Sequence, residues 1–499
     1  MVPFGSWRPD VYGLNSGFSG EASAVLPGAS SYQPWPQMAI SSPAAATVIR
    51  GAFAARTTVN ATAIFALSAT KAYKFAGVAT AWTDVTRAVG GDYALATDDM
   101  WAMLQFGVNV YGFNITDDPQ FIHATSGTAF ALLTGSPPKA RFAKVVGDFI
   151  MVGNTADDPR EVRWCGRNDP TAWTKGRKDA DAQPLPDGGD VMGILGLERG
   201  GLVFQTEAVR QFTASPGREV FRFWKLETAQ GTRAPYSIVS HKGTAYYYGL
   251  NGFQAISVDG TSLHVGSNWV DEWFAENSNA ANRPKAICGA VDPKRLRIFW
   301  LFATAGNPTS TTFDHVLCYD PGLIESNYGP WTHAAVSGTV IFPAATTATT
   351  LENLGSAGLG YTLETVPYSL DSDVWKGGAP ALAIFDSANK LNYFTGTPMA
   401  STVQTAQFQP VPPRRFYING FRPITDATNA SGRVSTTERP QTVETWGASN
   451  TINNQGIIPL RASGRFLRAE VTVAAGQSWD HLQGIDLDGD NLLVDGGEI

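Results

Sequence analysis

Short runs of alternating apolar and polar residues, separated by tight turns, dominate the pattern along this chain. The clearest case is the stretch 235–274, which reads as three or four short strands. They are predicted at 237–240, 244–248, 253–258 and 262–265. Asn251-Gly252 and Asp259-Gly260 lie between them, and both dipeptides accept the positive φ angles of tight hairpin turns. The stretch therefore predicts an antiparallel meander, which forms one blade of a β-propeller or one edge of a sandwich.

Five further meanders of this kind are predicted along the chain. With the first stretch, they occupy 48–85, 101–123, 140–174, 191–226, 237–265 and 286–332. A Trp-Thr dipeptide closes three of the units, at Trp82, Trp173 and Trp331, although its spacing is irregular. Six meanders in series predict a β-propeller domain over residues 46–345.

The pattern changes after a stretch rich in Thr, Ala and Gly at about 335–362. Further strands are predicted at 371–375, 381–385, 390–394, 401–408, 415–421, 432–437, 442–446, 457–461 and 466–473. Their spacing and alternation predict a β-sandwich-like platform over residues 346–499, which ends in an acidic tail. The chain is predicted to be all-β.

Residues 1–45 have no sustained periodicity and are rich in Gly, Ser, Pro and aromatic residues. We predict an extended N-terminal arm that lies across a neighbouring copy of the chain, because its aromatic groups need a surface to cover them. The candidate inter-subunit residues are Trp7, Tyr12, Phe18, Tyr32 and Trp35. On this interpretation, a chain without residues 1–35 remains a folded, β-rich monomer.

Composition narrows the class of protein. The 499 residues are 43% hydrophobic but only 16% charged, against about 25% charged in typical soluble domains. The formal net charge of −7 argues against a dedicated nucleic-acid clamp, which needs excess Lys and Arg. No secretory leader or membrane-spanning stretch is evident, so we expect a soluble protein made in the cytoplasm. The scattered Cys165, Cys288 and Cys318 are expected to be buried free thiols.

Motifs for chemistry are absent from the sequence. It has no nucleophile elbow, phosphate loop, dinucleotide fingerprint or metal-ligand spacing of histidines. The acidic run that starts at Asp486 departs from the calcium-loop pattern at its sixth and twelfth places. The pairs Asp98-Asp99, Asp117-Asp118 and Asp157-Asp158 are interpreted as turn residues. We therefore predict no catalytic residue, no metal, no cofactor and no enzymatic activity.

Several short motifs together resemble virion proteins of tailed phages. They are Trp7-Arg8-Pro9-Asp10, Ser136-Pro137-Pro138-Lys139-Ala140-Arg141, Gly231-Thr232-x-Ala234-Pro235-Tyr236-Ser237, Leu250-Asn251-Gly252-Phe253 and Arg461-Ala-Ser-Gly464-Arg465-Phe466. Within that set the chain is most similar to the short-tail nozzle or tail hub, the packaged-DNA stabilisation protein. The resemblance implies a propeller on a platform, with six copies in a ring below the tail adaptor. It further implies that the ring anchors tail fibres in the virion and passes double-stranded DNA without sequence-specific binding.

Other functions stay open at this point. The resemblance extends to tail-tip proteins of long-tailed phages. A carbohydrate- or receptor-binding tail protein is an alternative, and so is a propeller glycosidase or polysaccharide depolymerase. A central channel with several carboxylates and an Arg cluster would favour the enzyme, although the nearest approach to an Asp box, Ser257-Val-Asp259-Gly260, has Thr261 where that motif needs Gly.

Overall fold

The computed structural model describes residues 1–11, 17–58, 61–76, 81–215, 219–281, 285–309, 311–346, 379–410, 412, 414–440, 444–487 and 493–494. Tyr12 and the strand predicted at 371–375 lie outside these residues. Within them, the chain is almost entirely β-strand, and Asp271–Asn277 is the only α-helix. The predicted all-β fold is confirmed.

Six consecutive four-stranded antiparallel units follow one another from residue 49 to residue 338, and we call them blades 1 to 6; the first five are separate sheets, and the sixth belongs to a larger sheet. Blade 1 consists of Ile49–Thr58, Ala61–Ser68, Ala72–Phe75 and Thr83–Asp84. Blade 2 consists of Ala102–Phe106, Asn109–Phe113, Gln120–His123 and Ala131–Leu132. Blade 3 consists of Ala140–Val146, Phe149–Thr155, Glu161–Trp164 and Asp181–Pro184. Blade 4 consists of Val191–Leu197, Gly200–Gln205, Ala208–Ala214 and Phe221–Gln230. Blade 5 consists of Val239–His241, Thr244–Gly249, Gly252–Ser257 and Ser262–His264. Blade 6 consists of Ile287–Val291, Ile298–Phe302, Phe313–Tyr319 and Trp331–Gly338. Each predicted meander is confirmed as one blade.

A seventh blade closes the ring. Its three inner strands are Val340–Ala345, Pro380–Phe385 and Lys390–Pro398, and its outermost strand, Pro36–Ala44, comes from the N-terminal region. The first strand of each blade lies innermost and neighbours the first strands of the adjacent blades, and Val340–Ala345 packs against Ile49–Thr58. The domain is therefore a closed seven-bladed β-propeller.

The structure places the seventh blade differently from the sequence-based boundaries. The strands predicted at 381–385 and 390–394 were assigned to the platform, and residues 36–44 to the arm, yet all of them belong to the propeller. The physical reason is that alternation identifies a strand but not its partner. Leu391 and Ser42 share a hydrogen bond although they lie 349 positions apart, and no local pattern encodes such a pairing.

The platform is a sandwich of two sheets, as predicted. One sheet contains Val2–Pro3, Leu482–Leu487, Phe416–Thr425, Ile458–Gly464 and Leu493–Val494. The other contains Ser401–Gln404, Phe466–Val473, Ala430–Thr437 and Asn450–Thr451. The remaining short elements are the strand pair Val25–Leu26 and Gln33–Pro34 and the 3₁₀ turns Pro235–Ser237 and Pro321–Leu323.

One sheet runs from blade 6 into the platform. Ala22–Ser23 pairs in parallel with the outer strand of blade 6 at His333, and antiparallel with Thr402 and Val403 of the platform. The result is a single nine-stranded sheet. Only Met399 and Ala400 separate the last strand of blade 7 from the first strand of the platform sheet. The propeller and the platform are therefore joined by continuous backbone hydrogen bonds.

The N-terminal arm packs on its own chain. Trp7, Tyr32 and Trp35 are at most 1% exposed, and the Tyr32 hydroxyl donates to the carbonyl of Gly5 at 2.8 Å. Phe18 is half-buried, with the guanidinium of Arg8 at 4.4 Å from its ring. Blade 6, blade 7 and the platform thus supply apolar cover that was expected from a neighbour, and the inter-subunit role of these side chains stays a prediction.

Blades 5 and 6 meet at an aromatic cluster. The rings of Phe253 and Trp300 lie 4.7 Å apart, those of Phe253 and Trp331 5.3 Å apart, and those of Tyr319 and Trp331 4.5 Å apart. Phe274, from the one α-helix, closes the cluster against Phe253 at 5.0 Å. Such edge and tilted contacts stabilise beyond the area they bury. The stretch 235–274 is thus both a blade and the wall against its neighbour.

Three cysteines, Cys165, Cys288 and Cys318, are buried free thiols, as predicted. Among the described residues, no helix has the length and apolar character to cross a membrane.

Candidate functional site

The seven innermost strands surround a narrow central channel. Glycines let them approach closely: a Cβ on Gly193 would lie 2.5 Å from the side chain of Ile238 in the next blade. A Cβ on Gly289 would lie 2.4 Å from Val239 in the same way. Between the strands lies a cavity of 310 Å³, lined by residues of six blades and by Pro235, Tyr236 and Ile238, which precede the first strand of blade 5. The channel is the site where propeller folds bring together groups from distant parts of the chain.

Apolar and aromatic side chains form most of the cavity wall. The largest are Phe53, Trp101, Phe142, Ile194 and Phe342. The charged groups at the wall are Arg141 and Lys144, both on the first strand of blade 3, and Tyr236 adds a hydroxyl. No carboxylate belongs to the described residues that line this cavity. Its wall combines apolar surface with positive charge.

Lys144 is the second charged residue that lines the cavity. Its side chain is exposed to the cavity, and desolvation by the nearby strands lowers the pKa of the ammonium. Within the part of the chain that the structure describes, no hydrogen bond or ion pair involves its Nζ. An ammonium in such a partly desolvated place favours an anionic partner.

Arg141 lines the cavity and also forms an ion pair with the buried carboxylate of Asp99. Its Nε lies 3.5 Å from Oδ2 of Asp99, an ion pair without hydrogen-bond geometry. The Tyr236 hydroxyl lies 3.5 Å from Oδ1 of Asp99 and accepts from the backbone N–H of Met100 at 2.9 Å. Burial raises the pKa of Tyr236, so this hydroxyl stays protonated and donates to the carboxylate.

Arg50 lies behind this group and is 4% exposed. Its guanidinium donates to the carbonyl of Asp99 at 3.0 Å and to that of Thr97 at 2.8 Å, while Nη1 has no hydrogen-bond partner. Burial lowers the pKa of Arg50. The neighbouring Asp98 forms an ion pair with Lys285 at 3.3 Å. Cations therefore outnumber carboxylates around the channel.

This arrangement suits anion binding better than glycoside hydrolysis. Hydrolysis needs two carboxylates that face the substrate from opposite sides. Here Asp99 is 3% exposed and bound by Arg141 and Tyr236, and Asp98 is paired with Lys285. Of the described arginines, Arg141 alone lines the cavity, and the carboxylates beside it are already engaged, so the arrangement that the enzyme alternative called for is not met by these residues.

The sequence analysis did not predict this site. Arg141 and Tyr236 lie in two of the motifs on which the expected resemblance to phage virion proteins was based. Asp98-Asp99 was noted as a carboxylate pair, and the structure brings all of these residues together. Lys144 and Arg50 were missed. A charged residue inside an innermost strand would have been the only clue, and it normally marks a solvent-facing position.

The predicted arm residues lie elsewhere. Trp35 packs beside Phe299 at 5.5 Å, and Tyr32 packs beside Tyr328 at 5.3 Å. Trp7 contacts His333 at 4.6 Å. None of the described arm aromatics lines the channel cavity.

A histidine pair lies where the arm, blade 6 and the α-helix meet. The rings of His315 and His333 are stacked, with Nε2 and Nδ1 3.4 Å apart, and Nε2 of His333 lies 2.5 Å from a carboxylate oxygen of Glu21. Burial and the charge of His333 lower the pKa of His315 from 6.5 to about 4. Among the described residues, no group of His, Cys, Asp and Glu side chains is arranged to hold a metal ion.

This pair predicts acid sensitivity. His315 titrates at 6.5 when unfolded but at about 4 when folded, so the unfolded chain binds the proton first as pH falls. The free energy of unfolding should decrease between these two values, by up to about 3 kcal/mol. Urea unfolding at pH 7.5 and at pH 4.5 measures this change. His315→Phe should show a smaller decrease than the native chain, and an equal decrease would contradict the assignment.

No protein-family model and no curated protein matches the chain. Among solved structures, it is similar to BamB from Moraxella catarrhalis, at 10% identity and a TM-score of 0.36, over 74% of this chain and 93% of that one. It is also similar to the Pan2 WD40 domain from Neurospora crassa, at 9% identity and a TM-score of 0.35, over 72% and 88%. Raptor from Chaetomium thermophilum matches at 10% identity and a TM-score of 0.41, over 74% of this chain and 29% of that one. At these TM-scores the fold assignment rests on the sheet topology itself.

Proposed function

We propose that this chain is a rigid structural subunit of a phage tail, a nozzle or hub that works as a ring of identical copies. The observation that carries the proposal is the nine-stranded sheet that runs from blade 6 through Ala22–Ser23 into the platform. A part that seals and extends a channel must transmit force without bending. Continuous backbone pairing between two domains provides that stiffness, whereas an ordinary linker permits relative motion.

Closure of the propeller supports the same role. Each blade packs face to face on the next, and the ring protects sheet edges that would otherwise pair with other chains. In blade 7, Pro36–Ala44 pairs with Lys390–Pro398 and completes the four-stranded sheet. Such a body can assemble with copies of itself at high local concentration without uncontrolled strand pairing.

Surface composition supports assembly around DNA. Only 16% of the residues are charged, so broad surfaces can pack between subunits at modest desolvation cost. The net charge of −7 repels phosphate, which favours passage of double-stranded DNA over binding. The arm aromatics are covered by their own chain, so contacts between copies, with the tail adaptor and with tail fibres are assigned to the platform and the outer faces of the blades.

Mass measurement of an intact tail assembly tests this proposal. Six copies of the chain per tail are expected from the resemblance to nozzle proteins, and particles without the protein should leak packaged DNA. A single copy per tail would end the ring hypothesis. Native mass spectrometry of the isolated chain over a range of concentrations shows whether rings form without other tail proteins.

A propeller depolymerase is the competing function, and it makes a different prediction. Incubation with polysaccharides of the host should give no turnover if the role is structural. Turnover that is lost in Asp98→Asn or Asp99→Asn would overturn the structural proposal, because Asp99 contacts Arg141 and Tyr236 of the cavity wall and Asp98 adjoins it in sequence.

A further inference from the structure

We propose that the central channel of the propeller binds a small organic carboxylate, an anion with an apolar body. Lys144 pairs with the carboxylate, and the aromatic wall of the cavity contacts the rest of the ligand. The proposal assigns a binding site that a purely structural role does not require, and it does not depend on that role.

The charge around the cavity is the first argument. Lys144 lines the cavity with an exposed side chain, and no hydrogen bond or ion pair of the described residues involves its Nζ. Arg141 on the same strand is already paired with Asp99 at 3.5 Å, so Lys144 is the cation of the described cavity wall that lacks an anionic partner. A ligand carboxylate at Lys144 would supply the charge-assisted hydrogen bond that the ammonium lacks among the described residues.

The second argument is the combination of size and wall chemistry. A volume of 310 Å³ lies at the lower end of the range for small-molecule pockets, about 300–1,000 Å³. Phe53, Trp101, Phe142 and Ile194 present apolar surface to it. A bare, strongly hydrated anion such as inorganic phosphate would leave this surface uncovered. A carboxylate with an aromatic or aliphatic body would cover the wall and neutralise the ammonium together.

Three probes separate these contributions: benzoate, benzyl alcohol and inorganic phosphate. Isothermal titration of the full chain with benzoate should give a dissociation constant in the millimolar range or tighter. Benzyl alcohol, which lacks the charge, and phosphate, which lacks the apolar body, should each bind at least about tenfold more weakly.

Variants of the chain locate the site. Lys144→Gln should weaken benzoate binding by about tenfold or more, while Lys144→Arg, which keeps the charge, should retain it within a few-fold. Lys225→Gln, on the exposed outer strand of blade 4, is the matched control and should bind as the native chain does. Thermal unfolding of each variant verifies that it is folded.

The proposal is overturned by any of three results. These are no benzoate binding below 10 mM (roughly the weakest affinity worth assigning to a specific pocket), equal binding by Lys144→Gln, or binding of benzyl alcohol or phosphate as tight as that of benzoate. If Lys144→Gln fails to fold, the comparison of Lys144→Arg with Lys225→Gln and of the three probes on the native chain still decides the outcome.

Discussion

A chain without residues 1–44 should fail to form a stable propeller. The deletion removes the outer strand of blade 7 and the strand that joins blade 6 to the platform. It also removes the buried side chains of Trp7, Tyr32 and Trp35. Loss of one such aromatic group costs about 3–5 kcal/mol, and a whole domain is stabilised by only about 5–15 kcal/mol.

Expression, circular dichroism and urea unfolding measure this effect. We expect an insoluble product or a chain without a cooperative unfolding transition, because Lys390–Pro398 would also be left as an open sheet edge. This expectation replaces the folded monomer that the sequence alone predicted for a chain without residues 1–35. A soluble deletion variant that unfolds cooperatively near the native midpoint would contradict the structure.

Single substitutions give a graded version of the same test. Trp35→Ala should lower the free energy of unfolding by about 3–5 kcal/mol. Trp224→Ala is the matched control, because Trp224 is 37% exposed on the outer strand of blade 4. We expect a change of about 0.5 kcal/mol for it. Similar losses for both residues would mean that Trp35 does not anchor the arm.

Phe253→Ala should give the second large effect. The Phe253 ring is fully buried and contacts Trp300, Trp331, Phe274 and Tyr248. Its removal would open a cavity between blades 5 and 6 that neighbouring rings cannot fill without shifting. A loss of about 3–5 kcal/mol in the free energy of unfolding is expected, from urea melts monitored by tryptophan fluorescence.

Leu250→Ala provides the control within the same turn. Leu250 precedes Phe253 by three positions and is 43% exposed, so its truncation should change stability by about 0.5 kcal/mol at most. If both substitutions had the same effect, the aromatic cluster between blades 5 and 6 would not be the packed unit described here.

Local turn chemistry explains why so much of the propeller was predictable. Asn251-Gly252 favours a hairpin, and in the structure the loop is Leu250-Asn251, while Gly252, at φ 118°, pairs with Gly249 at the start of the next strand. Alternation within each strand then identifies the buried face. Both depend on neighbours in sequence, so six of the blades could be assigned from the residues alone.

Pairing between distant segments explains what was missed. Nothing near Pro36–Ala44 indicates that its partner is Lys390–Pro398, and Trp35 was expected to need a neighbouring copy for that reason. The group of charged and polar side chains beside the channel was not predicted for the same reason. Asp99, Arg141 and Tyr236 come from three separate stretches, and closure of the ring alone brings them together.

The N-terminal strand of blade 7 also has a consequence for the order of events during synthesis. Pro36–Ala44 leaves the ribosome first, but its partner strand is made hundreds of residues later, as the 349-position gap between Ser42 and Leu391 records. Contacts between residues so far apart in sequence form slowly, because a long loop must close before they stabilise the fold. Blades 1 to 6 can assemble while translation continues, whereas the ring must wait for nearly the whole polypeptide. Until those strands are made, the aromatic side chains of the N-terminal segment lack part of their packing partners. Apolar surface exposed in this way is what chaperones bind on a nascent chain.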